Sequence, residues 1–165
     1  TIYEGTTAIQ ANDLVGRKTT RDGGQTAKAI AAQVEATEAE LIAQGGANAA
    51  AVAKKLKAAR LAFIDVVEFI VANGRSNPNA AFAGSVPYLM LAGNLMAGWQ
   101  LARALLVAEA ALASGDCGDF GPTFMQAKIT TARFYADHIL ARAPGVRDAI
   151  VEGAGSVTEL PLEAF

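Results

Sequence analysis

The sequence predicts an all-α fold, an antiparallel bundle of about four to five helices. Three observations point there. Alanine and leucine dominate a 165-residue chain in which 52% of residues are hydrophobic, a composition that favours helix over sheet. Apolar residues recur at steps of three and four, most plainly at Val52, Leu56, Ala59, Phe63, Val66, Val67 and Ile70. No pair of segments alternates apolar and polar residues as half-buried strands would, and no internal repeat is present.

Each element follows from its punctuation. A first helix is expected from Thr7 to about Lys18, capped by Thr6 or Thr7, with Thr7 and Gln10 spaced as a capping box. It ends at the Arg21-Asp22-Gly23-Gly24 turn. A second runs from Gln25 to about Ala43 and stops at Gln44-Gly45-Gly46. Its Ile30, Val34 and Leu41 form the dry stripe, and Glu35, Glu38 and Glu40 are assigned to the wet side. The third spans about Asn48 to Asn73, with Lys54, Lys55, Lys57 and Arg60 read as a solvated face. Gly74 and Asn77-Pro78 interrupt the chain. A long fourth helical region covers about Asn79 to Ser114, with a kink or break near Ser85-Val86 because Pro87 lacks a backbone donor. Gly121-Pro122 opens the last major helix, expected to reach Ala143 and stop at Pro144-Gly145, with a shorter helix to about Ala154.

Composition excludes several function classes. The net charge is −2 with 18% charged residues, and no basic patch stands out, so neither nucleic acid nor an anionic membrane is expected as a partner. The apolar stretch from Val86 to Ala113 is interrupted by Asn94, Gln100, Arg103 and Glu109 and is read as a buried central helix, not a membrane span. Gly93 and Gly98, beside Trp99, suggest close helix approach, with the indole nitrogen finding a partner. The only histidine, His138, lacks the Glu-x-x-His partners of a bundle metal site, because position 135 is Tyr135. It is read as a surface or capping residue, and no metal is expected. The sole cysteine, Cys117, has no cation or histidine near it in sequence to activate it and fits a reducing compartment, so a cytoplasmic location is expected.

The remaining candidate is the opening stretch. In Thr1-Ile2-Tyr3-Glu4-Gly5-Thr6-Thr7-Ala8-Ile9-Gln10, a carboxylate sits on a glycine-containing turn just before a helix. A carboxylate held on fixed backbone is what a general base requires, although an ordinary helix start with an exposed glutamate reads the same way. Tyr3-Glu4-Gly5-Thr6, followed by Ile9-Gln10 and Asp13-Leu14-Val15-Gly16-Arg17-Lys18, resembles the acyl-CoA dehydrogenase family near the end of its catalytic domain. Pro87-Tyr88-Leu89-Met90-Leu91, Gly93, Gly98-Trp99, Ala102-Arg103-Ala104 and the ending Leu160-Pro161-Leu162-Glu163-Ala164-Phe165 are similar to one subgroup of that family. That subgroup carries an extra C-terminal helical domain and includes broad-specificity and methylmercaptopropionyl-CoA-type dehydrogenases.

The resemblance implies α,β-dehydrogenation of an acyl-CoA thioester. Glu4 would be the catalytic base and would offer its backbone amide to the thioester oxygen. Gly5 would let the acyl chain pass closely, and Thr6, Thr7 and Ala8 would meet FAD, whose N5 takes the hydride. Residues 1–24 would end the catalytic helical domain and 25–165 would form the additional helical domain. The domains that make most contacts to FAD and CoA would precede Thr1, so the chain alone is expected to be inactive and to self-associate as a homo-oligomer. An electron-transferring flavoprotein is the implied acceptor. A helical interaction module without chemistry of its own is the competing reading, and a metal-binding ferritin-like bundle is a weaker third.

Overall fold

The computed structural model describes residues 6–157 and 159–164. Among them there is no strand, and the helices form a bundle centred on one long helix. Helix α1 (Thr7–Asp13) passes without interruption into a π-helical segment, Leu14–Thr20. Then come α2 (Gln25–Gln44), α3 (Ala47–Asn73), α4 (Pro78–Ala83), α5 (Ser85–Ser114), α6 (Gly121–His138) and α7 (Ala143–Val151). Short glycine connections make α2 and α3, and α5 and α6, antiparallel neighbours. Helix α3 is the centre: it packs against α2, α5, α6 and α7 and buries Val52, Leu56, Ala59, Phe63, Val66, Val67 and Ile70, the stripe its spacing predicts.

Two glycines fix how closely the helices approach. Gly24 begins α2 with φ +76, in the left-handed region, and a Cβ there would stand 2.7 Å from Val67 Cγ1; only glycine suits both demands. A Cβ on Gly98 would stand 2.7 Å from both terminal carbons of Leu140, so α5 meets the turn after α6 at backbone distance. Gly93 has open space around it, so the close approach expected of it does not occur. The Trp99 indole N–H donates to Thr37 Oγ1 at 2.8 Å, tying α5 to α2 as expected.

The structure departs from the sequence expectations at several boundaries. The expected break near Ser85-Val86 occurs, at Gly84, but Pro87 does not cause a kink: it lies in the first turn of α5, where its missing donor costs no helical bond. Helix α6 ends at His138, short of Ala143, and Pro144 starts α7 instead of stopping α6. Helix α5 is not the central helix. It is long and apolar enough to cross a membrane by length and composition, yet it buries one face, at Tyr88, Leu91, Leu95, Ala102 and Leu105, and leaves Met90 and Val107 exposed.

Two charges expected on wet faces are buried. Glu38 is 4% exposed and Arg60 8%. Arg60 Nε donates to Glu38 Oε1 at 2.8 Å and Nη2 to Oε2 at 2.9 Å, while Nη2 also reaches the exposed Glu35 at 3.0 Å. A buried charge is tolerable when paired and fully hydrogen-bonded. Glu38 and Arg60 supply that to each other across the α2–α3 interface.

Candidate functional site

Of the residues singled out at the chain's start, Glu4 and Gly5 lie outside the described residues. Thr6, Thr7 and Ala8 are exposed at the beginning of α1. Thr6 is the cap: its hydroxyl accepts from the Ile9 amide at 3.4 Å. Thr7 is already helical, so the Thr7–Gln10 capping box does not form.

Helix α1 packs on α5, burying Ala11, and continues into the π-helical segment. Such wide turns are rare and gather at functional positions. The Thr20 hydroxyl donates to the Val15 carbonyl at 2.8 Å, and the Gly24 amide to the Thr19 carbonyl at 2.9 Å. Val15 and Thr19 are buried, and Thr19 Oγ1 lies 2.8 Å from Tyr88 Oη. Tyr88 stacks on Phe63 with ring centroids 5.9 Å apart. Burial pushes the Tyr88 phenol above its ordinary pKa, against the lowering effect of the Thr19 bond, so the ring carries a neutral hydroxyl.

Above this pair lies a cleft of about 570 Å³ between the π-helical segment, α2 and α5. Leu14, Ala27, Ile30, Phe63, Ala92 and Met96 wall it, and Arg17, Lys18 and Arg21 stand on one rim with Asp22. Arg17 is paired with Asp13 at 3.0 Å. The Asp22 carboxylate accepts from the Gly24 and Thr26 amides, each at 2.9 Å. The Thr26 side chain, then its amide, hold the Asp22 carboxyl below the ordinary value. Sequence reasoning did not assemble this cleft. Arg17 and Lys18 were visible only as part of a motif, and Tyr88 gave one signal, a phenol at a core-facing position of an apolar helix.

Elsewhere the chemistry is structural. Both Glu38 oxygens are held by Arg60, away from solvent. His138 is exposed at the end of α6 against Phe134, ring centroids 4.5 Å apart, as its surface reading expects. Cys117 is a free, buried thiol. Among the described residues no group of three or more histidine, cysteine or acidic side chains could hold a metal ion.

Comparison with known proteins fits this all-helical architecture. Residues 26–161 match the family model described as acetyl-CoA dehydrogenase C-terminal like. The chain is 49% identical, over 94% of its length and 26% of the relative's, to a 3-methylmercaptopropionyl-CoA dehydrogenase of Ruegeria pomeroyi. It is 32% identical, over 99% of its length and 27% of the relative's, to the broad-specificity linear acyl-CoA dehydrogenase FadE5 of Mycobacterium tuberculosis. It is 31% identical, over 99% of its length and 26% of the relative's, to a butyryl-CoA dehydrogenase of Syntrophomonas wolfei. The chain thus spans about a quarter of the length of the curated relatives it matches. A family match over most of the chain, on a strand-free bundle, establishes that this chain belongs to the acetyl-CoA dehydrogenase C-terminal-like family, as a C-terminal acyl-CoA dehydrogenase domain.

Proposed function

We propose that this chain is the C-terminal part of a flavin-dependent acyl-CoA dehydrogenase that performs α,β-dehydrogenation of an acyl-CoA thioester, with Glu4 as the base. The observation that carries the reading is the 49% identity, over 94% of the chain, to a 3-methylmercaptopropionyl-CoA dehydrogenase. Residues 1–24 would complete the catalytic helical domain, and 25–165 would be the added bundle.

In this reading the Glu4 carboxylate removes the α-proton. Desolvation would raise its pKa towards that of the substrate, and its backbone amide would stabilise the thioester oxygen as charge develops there. Gly5 has no side chain to obstruct the acyl chain. FAD, when bound, supplies the hydride acceptor. The exposed, small Thr6, Thr7 and Ala8 fit one edge of such a cofactor, not an enclosing pocket. The chain alone would therefore be inactive, in a reducing cytoplasm consistent with the free Cys117. An electron-transferring flavoprotein would take the electrons from the whole enzyme.

A second reading, a packing and oligomerisation module, draws on the exposed aromatics Phe120, Phe124 and Phe134 along α6 and its approach. One substitution separates the two. In a polypeptide carrying the preceding domains, Glu4→Gln should lower kcat by about 10²–10⁴-fold with assembly intact. The 165-residue chain alone should give no turnover in the same assay. If Glu4→Gln disturbed only assembly, the module reading would stand instead.

A further inference from the structure

We propose that the cleft between the π-helical segment, α2 and α5 binds the alkyl tail of an anionic amphiphile, with Lys18 and Arg21 holding the head group. The volume, about 570 Å³, lies within the roughly 300–1,000 Å³ of small-molecule sites.

The chemistry of the walls selects the tail. Leu14, Ile30, Phe63, Ala92 and Met96 offer only apolar surface. The two hydroxyls at the floor, Thr19 and Tyr88, already bond each other at 2.8 Å. A polar group placed there would lose water without a ready replacement, whereas an alkyl chain gains by leaving water.

The rim selects the head. Neither Lys18 nor Arg21 has an acidic partner among the described residues. The acid beside them, Asp22, is turned to its own backbone and accepts two amide hydrogen bonds. Arg17 adds a third cation, although Asp13 holds it. A carboxylate or sulfate at this edge meets a net positive charge, three cations against Asp22 and the Asp13 that pairs with Arg17, beside an apolar slot, the arrangement an amphiphile needs. Thr6, Thr7 and Ala8 do not line the cleft, and a binding experiment here reads no turnover, so its outcome and the reading of Glu4 are decided separately.

The test uses laurate as the anionic probe and dodecanol as its neutral counterpart, each titrated calorimetrically into the chain below its aggregation concentration. Methyl NMR locates the ligand without any substitution, because the chain has three methionines and only Met96 lines this cleft. Laurate should bind saturably at one site and shift the Met96 methyl, leaving Met90 and Met125 in place. Ala92→Trp, which fills the slot, should weaken laurate at least tenfold, and Ala27→Phe gives the same reading from the opposite wall should Ala92→Trp fail to fold. Lys18→Glu with Arg21→Glu should weaken laurate about tenfold and leave dodecanol unchanged, the scale expected of two exposed charges. Absence of saturable binding, a shift confined to Met90 or Met125, or full affinity in both filled variants would overturn the site. Equal losses for laurate and dodecanol in the charge-reversed variant would overturn the role of Lys18 and Arg21.

Discussion

Replacing Glu38 by alanine should destabilise the bundle by about 3 kcal/mol, towards the lower end of the range for breaking a buried ion pair. Both Glu38 oxygens are engaged by Arg60, at 2.8 and 2.9 Å, and both residues are buried. Truncation would leave the guanidinium stranded. The cost falls at the low end because Glu35, 3.0 Å from Arg60 Nη2 and mostly exposed, still neutralises part of the charge. For a chain of this length each kcal/mol moves Tm by roughly 2–4 °C, so Tm should fall by about 6–12 °C. Glu35→Ala should cost under about 1 kcal/mol, as exposed partners do. Glu38→Leu combined with Arg60→Met should be neutral, or stabilising by up to about 4 kcal/mol, because it removes both desolvation penalties at once. Urea unfolding followed by far-UV circular dichroism and by Trp99 fluorescence measures all three; Trp99 bonds Thr37, the residue before Glu38. The reasoning fails if Glu38→Ala costs less than about 1 kcal/mol, or if the double replacement costs as much as Glu38→Ala alone.

Two glycines of α5 should respond with opposite signs. Gly98→Ala drives a methyl to 2.7 Å from Leu140 and should cost about 1–3 kcal/mol by overpacking. Gly93→Ala, with open space around it, should stabilise by roughly 0.5–1 kcal/mol through helix propensity, and paired urea titrations check both. The Asp22 carboxyl is held below its ordinary value of 3.8, chiefly by the Thr26 side chain. The unfolded chain therefore binds more protons as pH falls through that value, and the contribution of Asp22 is present above it and lost below. Asp22→Asn should flatten the acid limb of a stability–pH profile below about pH 4; an unchanged limb would remove the hydrogen-bonded cap as its cause.

What could be read in advance was whatever local punctuation decides. Gly24, Gly45-Gly46 and Asn77-Pro78 end or begin helices because backbone geometry leaves little alternative, and the α3 stripe follows from helical spacing. Pro144 misled because proline both stops a helix and suits the first turn of the next. Glu38 and Arg60 are buried, against the expectation that charge faces solvent, because each neutralises the other across the α2–α3 interface. Their spacing held the correction: Thr37 and Glu38 lie between Val34 and Leu41 on one face, and Arg60 lies between Leu56 and Phe63 on the other. The π-helical segment has no sequence signature of its own. The cleft it borders joins residues 14–30 to Phe63, Tyr88 and Met96, separations that no local pattern reports.

The seam at Thr19 and Tyr88 makes the bundle a mount for whatever precedes Thr6. The seven residues of α1, about 10 Å of helix, also lie against α5 with Ala11 fully buried, so the seam and that contact together fix the line along which α1 leaves the bundle. Side chains far along the chain, such as Phe63 stacked on Tyr88, thereby set the direction of its opening helix.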